Sequence, residues 1–177
     1  MSTRSYIVKQ NPDGTYEGVY CHNDGYLTYN GAMLLDYYNS RERVDKLLSL
    51  GDISSLRANI EPLPSLPHTF DDQQDDVTVF YGRDRGDKDS AKEEVRLEDI
   101  DSDSSWIEYC YVYGLDDKWR YFEKGRLSEG LKDLEEGLNE EYRRLGFSRP
   151  EGYYGFFTQE DIEKYRYEDQ KEKEGHM

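Results

Sequence analysis

Apolar and polar positions alternate at both ends of the first twenty-odd residues, around Tyr6-Ile7-Val8 and again over residues 16–22, with Asn11-Pro12-Asp13-Gly14 between them. This predicts a β-hairpin. Pro12 brings the fixed φ of a turn's second position and Gly14 accepts a positive φ, so the turn agrees with its β-branched and aromatic flanks. Asn23-Asp24-Gly25 closes the second strand. Asn30 then stands as an N-cap before Ala32-Met33-Leu34-Leu35 and Tyr37-Tyr38, which predicts a short helix. Ser40 caps a second helix, in which Val44, Leu47 and Leu48 recur at helical spacing and Gly51 is placed as the C′ residue.

Prolines crowd residues 61–67 and exclude regular structure there, and Asp71-Asp72-Gln73-Gln74-Asp75-Asp76 extends that loop to the apolar run 77–81, a predicted strand. Only Val95, Leu97 and Ile100 then supply aliphatic anchors before residues 106–113. That stretch alternates aromatic and small apolar residues and turns at Gly114-Leu115-Asp116-Asp117 into residues 119–122, a second hairpin expected at the centre of the sheet. Leu127, Leu131, Leu134, Leu138, Tyr142 and Leu145 draw one stripe down an amphipathic helix, with Ser128 as N-cap and Gly146 as stop. Gly130 and Gly137 each weaken such a helix by about 1 kcal/mol relative to Ala, so packing must hold it. A dense aromatic cluster, Tyr153-Tyr154-Gly155-Phe156-Phe157, precedes a last helix opened by Thr158. The expected fold is α+β: an antiparallel sheet of about five strands with helices packed mainly on one face. Residues 1–150 make the domain, and residues 151–177 dock on it and end in a frayed tail.

Charge changes the functional picture. The 177 residues carry 39 acidic against 23 basic side chains, a net −16, and 13 acids against five bases fall within residues 71–103. Such a chain repels nucleic acid and anionic membranes and attracts basic surfaces. Its aromatic share of 14% is that of a folded protein. No run of about 18 apolar residues and no leader pattern occurs, so a soluble, cytoplasmic protein is expected. Cys21 and Cys110 each fall in a predicted strand and read as buried hydrophobes, with a disulfide between them left open.

Cys21, His22 and Asp24 bring together thiol, imidazole and carboxylate, the parts of a nucleophilic triad. Strand alternation argues against it, since Cys21 shares a face with Val19 and His22 one with Tyr20. Tyr20, His22, Asp24 and Tyr26 remain as a candidate ligand or acid–base site. The aspartates do not follow the calcium-loop pattern, and the scattered histidines give zinc no ligand set, so no metal or cofactor is expected. Gly82-Arg83-Asp84-Arg85-Gly86 is a compact basic spot whose acid-rich setting favours internal ion pairs over phosphate. Asp71, Asp72, Asp75, Asp76, Asp99, Asp101, Asp103, Glu136 and Glu140 are the candidate partner-binding residues. Carboxylates on a rigid scaffold capture the salt-sensitive term that a basic groove reserves for a polyanion. The expected partner is therefore a protein with a basic, nucleic-acid-binding surface, not nucleic acid itself.

The string Tyr20-Cys21-His22-Asn23-Asp24-Gly25-Tyr26, followed by Asn30-Gly31, Leu34-Leu35, Tyr38 and the stretch from Leu50 to Leu56, resembles a group of small uncharacterised proteins of bacteriophages and mobile elements. The likeness extends to residues 80–86 and to the hairpin at 106–122. Members of that group more usually carry Trp where Asn23 stands. The resemblance implies a phage-borne protein acting inside a bacterium, and small acidic proteins of that setting commonly bind and block a host defence complex of the CRISPR or restriction-nuclease type. Two other classes stay open: a small enzyme or ligand-binding protein built on the Tyr20–Tyr26 cluster, and a phage structural or assembly protein, for which stable homo-oligomers would be the sign.

Overall fold

The computed structural model describes residues 2–102 and 106–146. Asp103, the aromatic cluster from Tyr153, the last predicted helix and the proposed docking of residues 151–177 lie outside the described residues. The first hairpin forms as its pattern predicts, with β1 (Ser5–Gln10) against β2 (Tyr16–Cys21) and Gly14 at φ +88° in the turn. Asn30 is not a cap. It is buried in a single π-helical turn (Leu27–Gly31) that runs into α1 (Ala32–Tyr37), and its Nδ2 donates to Ser5 Oγ at 3.2 Å and Cys21 Sγ at 3.3 Å. α2 (Arg41–Ser49) keeps its predicted ends: Ser40 Oγ accepts the Arg43 N–H at 3.3 Å, and Gly51 stands past the helix at φ +82°.

The sheet departs from the expected one in strand number and direction. It has eight strands, in the order β4 (Val79–Phe80), β3 (Ile53–Ser55), β2, β1, β6 (Tyr109–Tyr113), β7 (Trp119–Glu123), β8 (Lys132–Asp133), with β5 (Glu93–Val95) paired to β2 off that path. The sheet is also mixed rather than antiparallel, because β1 runs parallel to β6 and β2 parallel to β3. Parallel neighbours need a long crossover, and the chain between β2 and β6 supplies one. The run at 77–81 shrinks to β4, since the Asp84 carboxylate accepts the Phe80 N–H at 2.8 Å and Tyr81 opens the short helix α3 (Tyr81–Arg85). Residues 71–102 hold β4, α3, β5 and α4 (Leu97–Asp101).

Alternation along β1, β6 and β7 divides the interior into two layers. Ile7, Val19, Tyr111, Trp119 and Tyr121 face a layer shared with α1, α2 and the helix α5 (Leu134–Leu145). Val8, Cys110, Val112 and Phe122 face the other, closed by Leu97 and Ile100 of α4. Most helical mass therefore lies on one face, while the opposite face has a core of its own. Cys21 belongs to the first layer and Cys110 to the second; both are buried free thiols, so the sheet itself separates them.

The single helix expected over residues 128–145 is cut in two. Gly130, at φ +88°, ends a 3₁₀ turn (Leu127–Glu129), β8 pairs with β7, and only then does α5 begin, capped by Asp133, whose carboxylate accepts the Glu136 N–H at 3.0 Å. Leu127 and Leu131 pack on the second layer, and Leu134, Leu138 and Tyr142 on the first. The leucine stripe thus belongs to two segments on opposite faces of the sheet. Gly146, at φ +78°, is the expected stop.

Candidate functional site

The outer edge of β2 is occupied piecewise. β5 takes its first half in antiparallel register (Tyr16 opposite Val95, Glu17 opposite Glu94, Gly18 opposite Glu93), and β3 takes its end at Cys21. Between them, the Asp52 carboxylate accepts the Tyr20 backbone N–H at 3.0 Å. β5 and α4 therefore form a strand–helix unit whose apolar residues Val95, Leu97 and Ile100 turn inward and whose Glu93, Glu94, Glu98 and Asp99 are exposed. Cations nearby are engaged elsewhere: Lys9 and Lys92 both reach Glu17, at 3.0 and 3.1 Å, and Lys9 also reaches Asp45. Burial would raise the Glu17 carboxyl, but the two ammonium groups outweigh it and hold it below the usual range. Arg96 meets Glu98 only at 3.9 Å, with most of its side chain in solvent. A cavity of about 540 Å³ opens beside the unit, lined by Tyr6, Glu94, Val95, Arg96, Asp99 and Ile100.

The acids singled out from sequence are not gathered in one place. Asp71, Asp72 and Asp75 are exposed, and Asp76 half-buried, on the loop leading into β4. Glu136 and Glu140 are exposed on α5, which packs on the other side of the sheet from α4. Asp101 is turned to structure, accepting the N–H groups of Gly125 at 2.7 Å and Leu127 at 3.1 Å. Among the described residues of that set, only Asp99 lines the cavity. Glu93, Glu94 and Glu98 were missed, although their spacing around Val95, Leu97 and Ile100 is the signal of a short amphipathic unit.

The second candidate set also divides. Arg4 Nε donates to the Tyr20 phenol oxygen at 3.0 Å, which lies 2.7 Å from His22 Nδ1. The phenol oxygen thus bridges the guanidinium and the imidazole. Burial raises the Tyr20 phenol above its ordinary value, against the opposing field of Arg4. Tyr6 meets Tyr20 edge-on at 6.3 Å, and the Arg4 guanidinium lies 5.7 Å from the ring of Trp106, which is 79% exposed. Asp24 and Tyr26 form a separate pair at 3.3 Å, with Asp24 at φ +58°. Tyr26 lines a different cavity of about 370 Å³, with Thr3, Glu108, Tyr109, Glu123 and Lys124. No hydrogen bond joins the two pairs. Cys21 points away from His22, and its burial pushes the thiol up to about 12, so no thiol–imidazole dyad forms.

The basic spot is consumed internally. Arg83 donates to Asp84 at 2.9 Å and to the carbonyls of Ile60 and Thr78 at 2.6 and 3.0 Å, while Arg85 makes two bonds to Asp87 at 2.8 and 2.7 Å and stacks on Phe70 and Tyr81. His68 is buried beside Asp84: its Nδ1 accepts the Gln74 N–H at 3.0 Å, and its Nε2 faces the carboxylate at 3.3 Å. Among the described residues no group of three or more His, Cys, Asp and Glu side chains could hold a metal ion, and no helix is long and apolar enough to cross a membrane. In comparisons with known proteins, no family model, no curated protein and no solved structure matches the chain.

Proposed function

We propose that this protein works by binding a basic surface of a nucleic-acid-handling protein, and that its acidic side chains stand there in place of the nucleic-acid backbone. The observation that carries the reading is the β5–α4 unit, which exposes Glu93, Glu94, Glu98 and Asp99 along one sheet edge while the neighbouring lysines are bound to Glu17. Carboxylates on a strand and helix anchored to a core keep their positions when a partner docks, so the association keeps the counterion-release term without ordering a loop. The sequence resemblance adds the setting: a phage-encoded inhibitor of a bacterial defence complex of the CRISPR or restriction-nuclease type. The test is affinity capture with the tagged chain from a bacterial lysate containing such nucleases, beside a variant carrying Glu94→Lys and Asp99→Lys. A nucleic-acid enzyme retained by the native chain and lost by the variant supports the reading; equal retention by both contradicts it.

A second reading rests on the Arg4–Tyr20–His22 chain, which brings an imidazole and a guanidinium together at one sheet end. It makes the protein a binder of a small anionic ligand. Under that reading His22→Ala abolishes function, whereas charge reversal on β5 and α4 leaves it intact.

A further inference from the structure

In a chain this acidic most surface arginines find a carboxylate, as Arg41, Arg85, Arg120 and Arg144 do. Arg4 does not: among the described residues it enters no ion pair. It is half-buried, spends its Nε on the Tyr20 phenol oxygen at 3.0 Å, and leaves both Nη groups without a hydrogen bond to any described residue. The same phenol oxygen meets His22 Nδ1 at 2.7 Å, and His22 Nε2 likewise has no partner among the described residues. Tyr20 thus fixes a guanidinium and an imidazole side by side while their outer nitrogens stay unspent. Trp106 adjoins them. The Arg4 guanidinium lies over its ring, 5.7 Å from the centroid, and the residue is 79% exposed, which leaves the rest of the indole open. The other tryptophan, Trp119, is 4% exposed, and its Nε1 donates to Tyr38 O at 2.8 Å. The fold therefore buries one indole and presents the other in water, forgoing the burial that so large an apolar side chain usually contributes.

We propose that Arg4 and Trp106 bind a nucleotide, its phosphate on the guanidinium and its base stacked on the open face of the indole. A phosphate matches the planar fork of arginine through two parallel N–H···O bonds, and every nucleobase offers a π-face to an aromatic ring. The 5.7 Å between guanidinium and ring centroid lies within the span of one nucleotide. A simple oxyanion would use the guanidinium and leave the indole bare, so it accounts for half of the arrangement. The inference rests on the second reading above, that the Arg4–Tyr20–His22 chain holds a small anion, and names that anion's class; it does not involve the acidic edge.

The experiment titrates the full chain by calorimetry with adenosine monophosphate and, separately, with its two halves, adenosine and inorganic phosphate. The native chain is compared with Arg4→Gln, with Trp106→Leu, and with Lys118→Gln, which removes one exposed cation between β6 and β7. The inference requires each half to bind about tenfold or more weakly than the whole, and a loss of about tenfold or more in both site variants. It also requires a change of less than about twofold in Lys118→Gln. Thermal unfolding of each variant shows that binding was lost from a folded chain, and Trp106→Phe, which keeps a ring, retains most of the affinity. Inorganic phosphate held as tightly as the nucleotide, and lost in Arg4→Gln, overturns the nucleotide and leaves the small-anion reading standing. Absence of nucleotide binding, equal loss in Arg4→Gln and Lys118→Gln, or a tighter hold on a single-stranded oligonucleotide also overturns it, whereas the effect of His22→Ala on function decides the small-anion reading.

Discussion

The Asp52 carboxylate stands 3.0 Å from the Tyr20 backbone nitrogen, in the place on β2 where neither β3 nor β5 reaches. The neighbouring backbone is tied into the same junction, since Asp52 N–H donates to Ser90 O at 2.7 Å and Asp52 O accepts from Tyr81 N–H at 3.1 Å. One residue thus joins the acidic edge to α3 and to the sheet. Asp52→Ala leaves the Tyr20 N–H without its partner, and a loss of about 1–3 kcal/mol in urea unfolding is expected. Asp52→Asn keeps a carbonyl in the same position and falls well short of that loss.

Acidity gives this residue a second signature. Burial raises the Asp52 carboxyl and Glu93 adds to the shift, against the Tyr20 N–H, so the fold favours the protonated form more than the unfolded chain does. Its contribution is therefore complete below the ordinary carboxylate range and is lost as pH rises through the raised value. The stability of the native chain relative to Asp52→Asn falls from acid toward neutral pH, as paired urea melts at several pH values will show. A difference that grows with pH contradicts the assignment.

Gly137 lies in α5 with its Cα against the ring of Tyr121, where an added Cβ would overlap the phenol. In an exposed helix Gly→Ala stabilises by about 1 kcal/mol. Here the overlap wins, and Gly137→Ala destabilises by about 1–3 kcal/mol through overpacking. The double variant with Tyr121→Leu recovers part of the loss in thermal unfolding. A stabilised single variant would mean that α5 does not sit on β7.

Asp84 accepts from Arg83 and from the Phe80 N–H, with His68 beside it, and its side chain is 2% exposed. Its removal strands a part-buried guanidinium and a backbone donor. Asp84→Ala is expected to cost about 3–5 kcal/mol, and removing Arg83 as well costs less than the two single losses added. Double-mutant cycles by chemical denaturation measure this.

Cys21 and Cys110 face opposite layers, and burial raises both thiols, that of Cys21 to about 12. Neither reacts with maleimide at neutral pH in the native protein, both react in denaturant, and mass spectrometry of the oxidised chain finds no internal disulfide. Labelling of either thiol without unfolding would contradict the burial.

What the sequence disclosed follows the strength of each local signal. Both hairpins, the Ser40 cap and the stops at Gly51 and Gly146 were legible, because turn chemistry and periodicity agreed there. β3, β5 and β8 were not: each is two or three residues long, and β5 begins Glu93-Glu94, which no propensity marks as strand. Parallel pairing of β1 with β6 joins residues far apart in the chain and leaves no local trace. The acidic character was plain, but its distribution was not, because Asp101 and Glu136 differ only in what the fold puts beside them. Tyr20 and His22 were correctly placed on one face by alternation, whereas Asp24 and Tyr26 lie past the strand, where alternation no longer applies.

The most direct test of the account is the affinity for the captured partner measured across a salt series, with DNA and RNA as competitors. If the acidic edge occupies a nucleic-acid groove, log affinity falls linearly and steeply with log salt, the nucleic acid native to the partner displaces the protein, and charge reversal at Glu94 and Asp99 flattens the slope. Binding that is insensitive to salt and unaffected by nucleic acid would contradict it.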